Sequence, residues 1–254
     1  MCTLSWLAGE GCGYTAWFNR DELHTRGVEQ MPQVRVSAEG VTWVAPIDSD
    51  SGGTWLMVNA HGLMVCLLND YNTPWTLPIG IQRESRGRLV PMTVALDSAQ
   101  AAVILVSQQN LAATPPFELV AGDATGGVAR MHWDGASAQC TEGPAVRFPC
   151  SSSPYQPDLV ISERRQSYPV SVTEESLEEF HRAHDVERGA SSVNMCRPDA
   201  STRSICRVKV SETAVNLVYD PQPWPGAPRS KNDTSEFWVT RLKTPEQRSV
   251  GIVT

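Results

Sequence analysis

Apolar and polar side chains alternate from the first residue onward, with Cys2, Leu4 and Trp6 on one side and Thr3 and Ser5 on the other. A period of two is that of a strand with one buried face, so residues 1–8 are predicted to be extended. The glycine-rich turn Gly9-Glu10-Gly11-Cys12-Gly13 follows, then a second run at 14–18. Two runs about such a turn make a hairpin. A second hairpin joins 54–59 to 63–69 through Ala60-His61-Gly62. Its return strand is apolar at successive positions, the pattern of a strand covered on both faces. Asp134-Gly135 marks a third hairpin, between 128–133 and 136–141, and further strands are predicted at 192–197, 204–210, 213–219 and 236–242.

Two segments carry helical spacing. Pro91 suits a helix start, and Met92, Leu96, Ala99, Val103 and Val106 keep to one face behind it. The second helix starts near Ser171-Val172-Thr173-Glu174, a capping-box pattern with four glutamates close to the positive end, and has Leu177, Phe180, His181 and His184 on its apolar face. Turn formers crowd 143–157 and 220–228, but neither stretch separates regions of different composition. Many hairpins with few helices imply one α+β domain over 1–254, built on stacked sheets.

Composition narrows the function classes. Apolar residues make up 41% and charged residues 19% of the 254, an ordinary globular mixture. The net charge of -7 comes without any basic block, which argues against a nucleic-acid partner. The longest apolar runs, at 63–68 and 101–106, are far too short to span a bilayer. No basic residue precedes Arg20, so the start does not read as a secretory signal. Seven cysteines without a C-x-x-C pair suggest neither a disulfide framework nor zinc, and a reducing cytoplasm is the expected compartment.

Three clusters carry candidate chemistry. Cys2 becomes N-terminal if Met1 is removed, and then a thiol nucleophile and an amine base share one residue. Asn19-Arg20-Asp21-Glu22 follows the run that pairs with the first strand, which returns it toward Cys2. There an arginine fork can hold a thiolate or a carboxylate, and Asp21 can orient an α-ammonium. By composition alone the same four residues are a solvated turn. Asn69 ends an apolar strand, where its NH2 suits an oxyanion, although an Asx turn closing the strand fits equally. His181 and His184 are three apart, but apolar neighbours and the lack of a matched acid or thiol ligand leave no metal site expected. No glycine-rich phosphate motif is present, so no nucleotide cofactor is expected.

Taken together, Met-Cys at the start, Asn-Arg-Asp-Glu at 19–22, Gly-Gly-Thr-Trp-x-x-Val-Asn-x-x-Gly at 52–62 and Ser85-Arg86-Gly87 resemble the NRDE, or transport-and-Golgi-organisation, family. That family looks like a branch of the N-terminal nucleophile hydrolases, so the resemblance implies an αββα sandwich of two mostly antiparallel sheets with outer helices. The bile-salt hydrolases and penicillin V acylases of that superfamily imply the roles. Cys2 is the expected nucleophile, Arg20 and Asp21 its flanking pair, Asn69 the oxyanion donor and Arg203 a late arginine. Asn19, Trp55 and Asn59 are expected to contact substrate. Adjacent Arg20 and Asp21 should nevertheless point to opposite faces of a strand. The implied function is a cysteine amidohydrolase or acyltransferase on a small amide. The alternatives are a non-catalytic carrier of haem, lipid or acyl-CoA on the same fold, and a scaffold with no small-molecule site.

Overall fold

A computed structural model describes residues 1–9, 11–222 and 234–242. The first hairpin forms as the alternation predicts, from β1 (Cys2–Ala8) and β2 (Tyr14–Leu23), with Cys2 opposite Arg20. β2 continues five residues past the predicted end at 18, through the charged cluster, because β11 (Ala200–Val210) pairs along its other edge. β10 (Cys150–Ser152), β12 (Ala214–Pro221) and β13 (Ser235–Thr240) complete a six-stranded sheet in the order β10-β1-β2-β11-β12-β13. The second sheet is a meander of seven strands in sequence order: β3 (Gln30–Val36), β4 (Thr42–Ile47), β5 (Leu56–Asn59), β6 (Met64–Asn69), β7 (Phe117–Gly122), β8 (Val128–Trp133) and β9 (Ala138–Glu142). Every described pairing is antiparallel.

The sheets stack on one apolar layer. Leu4, Trp6, Phe18 and Val208 meet Val58, Met64, Cys66 and Leu68 there. Trp6 lies so close over β7 that a Cβ on Gly122 would fall 2.0 Å from its ring, which excludes any side chain at that position. Intervening residues of the second sheet, among them Met57, Val65 and Leu67, face the other way, onto Ala99, Ala102, Val103 and Val106 of α1 (Ala99–Ser107). β6 is therefore apolar on both faces because core covers both.

On the far side of the six-stranded sheet lie α2 (Pro157–Gln166) and α3 (Glu174–Arg182). Leu177 of α3 packs on Trp17 and Ile205, and Val160 of α2 joins Met1, Ala190, Met195 and Ala200. Helix, sheet, sheet, helix is the expected αββα order. No helix among the described residues is long and apolar enough to cross a membrane.

Several local expectations are corrected. The helix predicted from Pro91 is divided into a 3-10 turn (Val90–Thr93) and α1, because the Ser98 hydroxyl caps a fresh start by accepting the Ala101 amide. The cap of α3 sits at Thr173, where Thr173 and Ser176 exchange the reciprocal bonds. The predicted 192–197 strand is absent, and only Cys196 bridges to Ser201. α2, which no periodicity announces, makes a third outer helix. The proline-rich stretch predicted at 220–228 begins inside β12, and its residues from 223 lie outside the described residues.

Candidate active site

Cys2 opens β1 with a strand on each side, Arg20 opposite it on β2 and Ser152 opposite it on β10. Met1 and Asp21 exchange both backbone bonds, each 3.0 Å, so the Cys2 N–H is turned toward β10. The Ser152 hydroxyl there is buried and has no partner among the described residues. Cys2 lines a cleft of about 610 Å³, open to solvent, together with Arg20, Asp48, Trp55, Asn69 and Arg86. Burial pushes its thiol up to about 11. The terminal ammonium and Arg20 oppose that rise, while Asp21 adds to it.

Arg20 does little for the thiol because acids surround it. Its guanidinium lies 4.2 Å over the Trp55 ring and reaches Glu29 at 3.3 Å and Asp48 at 3.2 Å. Arg26 clamps the same Asp48 with two bonds of 2.8 and 2.9 Å. Burial would raise the Asp48 carboxyl, but the Arg26 fork, the Ser51 amide and Arg20 outweigh it and hold it at about 2. Arg203 enters through a β-bulge between Thr202 and Ser204 and bonds Glu29 at 3.2 Å. It stands behind the Arg20 wall and reaches the cleft through that shared carboxylate.

Asp21 turns to the opposite face, as adjacent strand residues must. Its carboxylate accepts from Arg164 at 3.0 Å and from the Thr202 hydroxyl at 2.6 Å. Arg164, fully buried on α2, also donates to Thr3 and to the carbonyls of Ala190 and Ser192. Asn19 lies on this outer face too. It donates to the carbonyls of His181 and Val193, and its Oδ1 meets His181 Nδ1 at 2.7 Å. His181 Nε2 reaches Ser5 at 2.8 Å. Burial, reinforced by Arg164, pushes that imidazole down to about 3. The outer helices are thus keyed by polar pins to the strands that carry Cys2 and Arg20.

The remaining wall comes from the end of β6 and the loop before α1. Asn69 Nδ2 donates to the Tyr71 hydroxyl at 2.7 Å, which holds the amide in one orientation and leaves its second hydrogen available. The glycines at 53 and 87 explain how the Ser85-Arg86-Gly87 loop comes so near. A Cβ on Gly53 would lie 2.6 Å from the Gly87 carbonyl carbon, and the Thr54 amide donates to the Gly87 oxygen at 3.1 Å. Backbone rests on backbone, and Arg86 is held at the cleft with its Nη1 on the Pro116 carbonyl, 3.0 Å away.

The structure therefore brings Cys2, Arg20, Trp55 and Asn69 to one cleft and sets others apart. Asp21 contributes to the lining while its carboxylate is held outside, and Asn19 is committed to α3. Asn59 closes its hairpin instead of meeting a ligand, accepting from the amides of His61 and Leu63 and donating to the carbonyls of Val94 and Leu96. Glu29, Asp48, Tyr71, Arg86 and Arg164 were missed by sequence reasoning. Of these only Arg86 lies in a motif the sequence singles out, Ser85-Arg86-Gly87, without a role assigned to it. His181 and His184 serve separate partners, and no metal-binding cluster occurs among the described residues.

Residues 1–157 match the family described as Transport and Golgi organisation 2. No curated protein sequence matches the chain. Among solved structures, a variant of the conjugated bile acid hydrolase from Clostridium perfringens superposes with a TM-score of 0.53 at 11% identity, covering 96% of this chain and 97% of that one. Penicillin V acylase from Agrobacterium tumefaciens gives 0.54 at 12%, over 94% and 86%. A Caenorhabditis elegans orthologue of N-acylethanolamine-hydrolyzing acid amidase gives 0.52 at 9%, over 82% and 92%. The shared architecture is that of the N-terminal nucleophile hydrolases.

Proposed function

Because the chain belongs to the Transport and Golgi organisation 2 family and has the N-terminal nucleophile hydrolase fold, we propose that it is a cysteine amidohydrolase or acyltransferase acting on a small amide once Met1 is removed. The observation that carries this reading is the convergence of Cys2, Arg20 and Asn69 on one cleft, with the thiol at a strand end. Removal of Met1 puts the α-amine on Cys2 itself. That amine accepts the thiol proton as sulfur attacks the amide carbonyl, forming the C–S bond. Negative charge then develops on the former carbonyl oxygen, and the free Asn69 N–H suits it. Collapse breaks the C–N bond, the α-ammonium returns its proton to the leaving amine, and an acyl thioester remains on Cys2. Water hydrolyses the thioester in an amidohydrolase, and a second amine takes the acyl group in a transferase. Arg164 holds the Asp21 carboxylate on the outer face, next to the strand position opposite Cys2.

The test is covalent labelling of the chain lacking Met1 with an electrophilic amide analogue, followed by peptide mapping. Label on Cys2, lost in Cys2→Ser, supports the reading, and label spread over the other thiols contradicts it. A second reading is favoured by the Met1-bearing form, in which the ammonium is tied to the Asp21 carbonyl and the thiol is raised to about 11. In that form the cleft serves as a non-catalytic binding site for haem, a lipid or acyl-CoA. Saturable binding of one of these to the Met1-bearing chain supports the carrier, and flat titrations with folded protein remove it.

A further inference from the structure

Six charged residues line the cleft, Arg20, Asp21, Glu22, Arg26, Asp48 and Arg86, with the Asp21 carboxylate turned to the outer face. Five of them are ion-paired. Arg20 and Arg26 share Asp48 and Glu22, and Asp21 has Arg164. Arg86 alone among the six has no carboxylate within 4 Å among the described residues, and it donates to the neutral Pro116 carbonyl. Its neighbours on that wall, the Asn69 amide and the Tyr71 hydroxyl, carry no charge at neutral pH to answer it.

Burial pulls the Arg86 guanidinium below its ordinary range; Tyr71 and Cys2 oppose that fall, while Arg83 and Arg26 add to it. It nevertheless stays protonated, as arginines do in proteins. A partly buried cation without a counter-charge is costly to keep. Here it is held in place by the Gly53–Gly87 contact and the Pro116 bond instead of being left free to swing into solvent. The cleft's charge is thus uneven, with ion pairs neutralising Arg20 and Arg26 while Arg86 has no carboxylate partner among the described residues.

We propose that Arg86 is the anchor of an anion subsite, so that the compound taken into this cleft carries a carboxylate or phosphate group. This deepens the reading of the cleft as a substrate site and is independent of thiol chemistry. A guanidinium donates from a planar fork that fits either oxyanion with two parallel bonds. The uncharged part of the ligand then extends toward Cys2, Trp55 and Asn69.

The test is equilibrium binding by calorimetry to the full chain carrying Cys2→Ser, so that no probe is consumed and failure of the nucleophile assignment cannot alter the result. Three probes share one acyl group: N-hexanoylglycine, N-hexanoylethanolamine phosphate and the neutral N-hexanoylglycinamide. At least one anion should bind about 10- to 100-fold more tightly than the amide, the range for one charge-assisted contact, and the one preferred tells carboxylate from phosphate. Added Arg86→Gln should abolish the preference, and Arg86→Lys should retain part of it. Equal binding of all three, no binding of any, or a preference that survives Arg86→Gln in folded protein would overturn the proposal. If Arg86→Gln fails to fold, the parent decides alone. Its anion preference must shrink severalfold from low to 0.5 M salt, and a salt-independent preference counts against the subsite.

Discussion

Acidification to pH 5 should weaken the fold through one residue, His181. Its imidazole is fully buried between α3 and the first hairpin, bonded to Asn19 at 2.7 Å and Ser5 at 2.8 Å, and held to about 3 against an ordinary 6.5. A base with a depressed folded pKa gives stability that is whole above the unfolded value and lost as pH falls toward the folded one. Below pH 6.5 the unfolded chain takes up a proton here that the folded chain refuses. Each further pH unit then costs about 1.4 kcal/mol, or about 2 kcal/mol at pH 5. Urea unfolding followed by tryptophan fluorescence at pH 7 and pH 5 measures the loss. His181→Gln isolates it, since every other titrating group is common to both proteins. The variant should be weaker at pH 7 by about 1–3 kcal/mol, from the broken hydrogen bonds, but the gap should narrow by about 2 kcal/mol at pH 5. Parallel losses in the two proteins would show that His181 is not the buried neutral group described here.

Three other substitutions probe the site's supports. Arg164→Met strands the Asp21 carboxylate without its cation and should cost about 3–5 kcal/mol in urea unfolding, with much of it recovered by adding Asp21→Asn. Gly53→Ala forces the 85–87 loop off its backbone contact, and should lower stability by about 1–3 kcal/mol and weaken binding of any ligand that uses Arg86. Asn69→Ala should leave covalent labelling of Cys2 intact while slowing amide turnover roughly 100- to 1000-fold, read by comparing labelling with steady-state rates.

What the sequence makes legible is what periodicity governs. The first hairpin, the doubly buried β6 and the capped α3 all declare themselves in short local stretches of sequence. The Asn19–Glu22 cluster does not, because local composition marks it as a turn while its partners lie far along the chain. Asp21 is satisfied by Arg164 and Thr202, and Asn19 by His181, so burial of the three polar residues Asn19, Arg20 and Asp21 is decided by tertiary contacts. α2 is hidden for a related reason. Its buried face is chiefly Val160 and the charged Arg164, which presents no apolar stripe. Asn59 carries a motif but does a turn's work, and Glu29 and Asp48 have no pattern of their own. The resemblance of four short motifs over the first 90 residues reached the fold that hydrophobic pattern alone would not have selected.

The account turns on whether Cys2 is an N-terminal nucleophile. Intact mass of natively expressed protein, followed by timed alkylation and peptide mapping, tests it most directly. The account predicts a chain lighter by one methionine, in which Cys2 alkylates faster than the other six cysteines because its own α-ammonium favours the thiolate. A mature chain that keeps Met1, with Cys2 as slow to react as its burial and raised pKa of about 11 would make it, would contradict the nucleophile assignment.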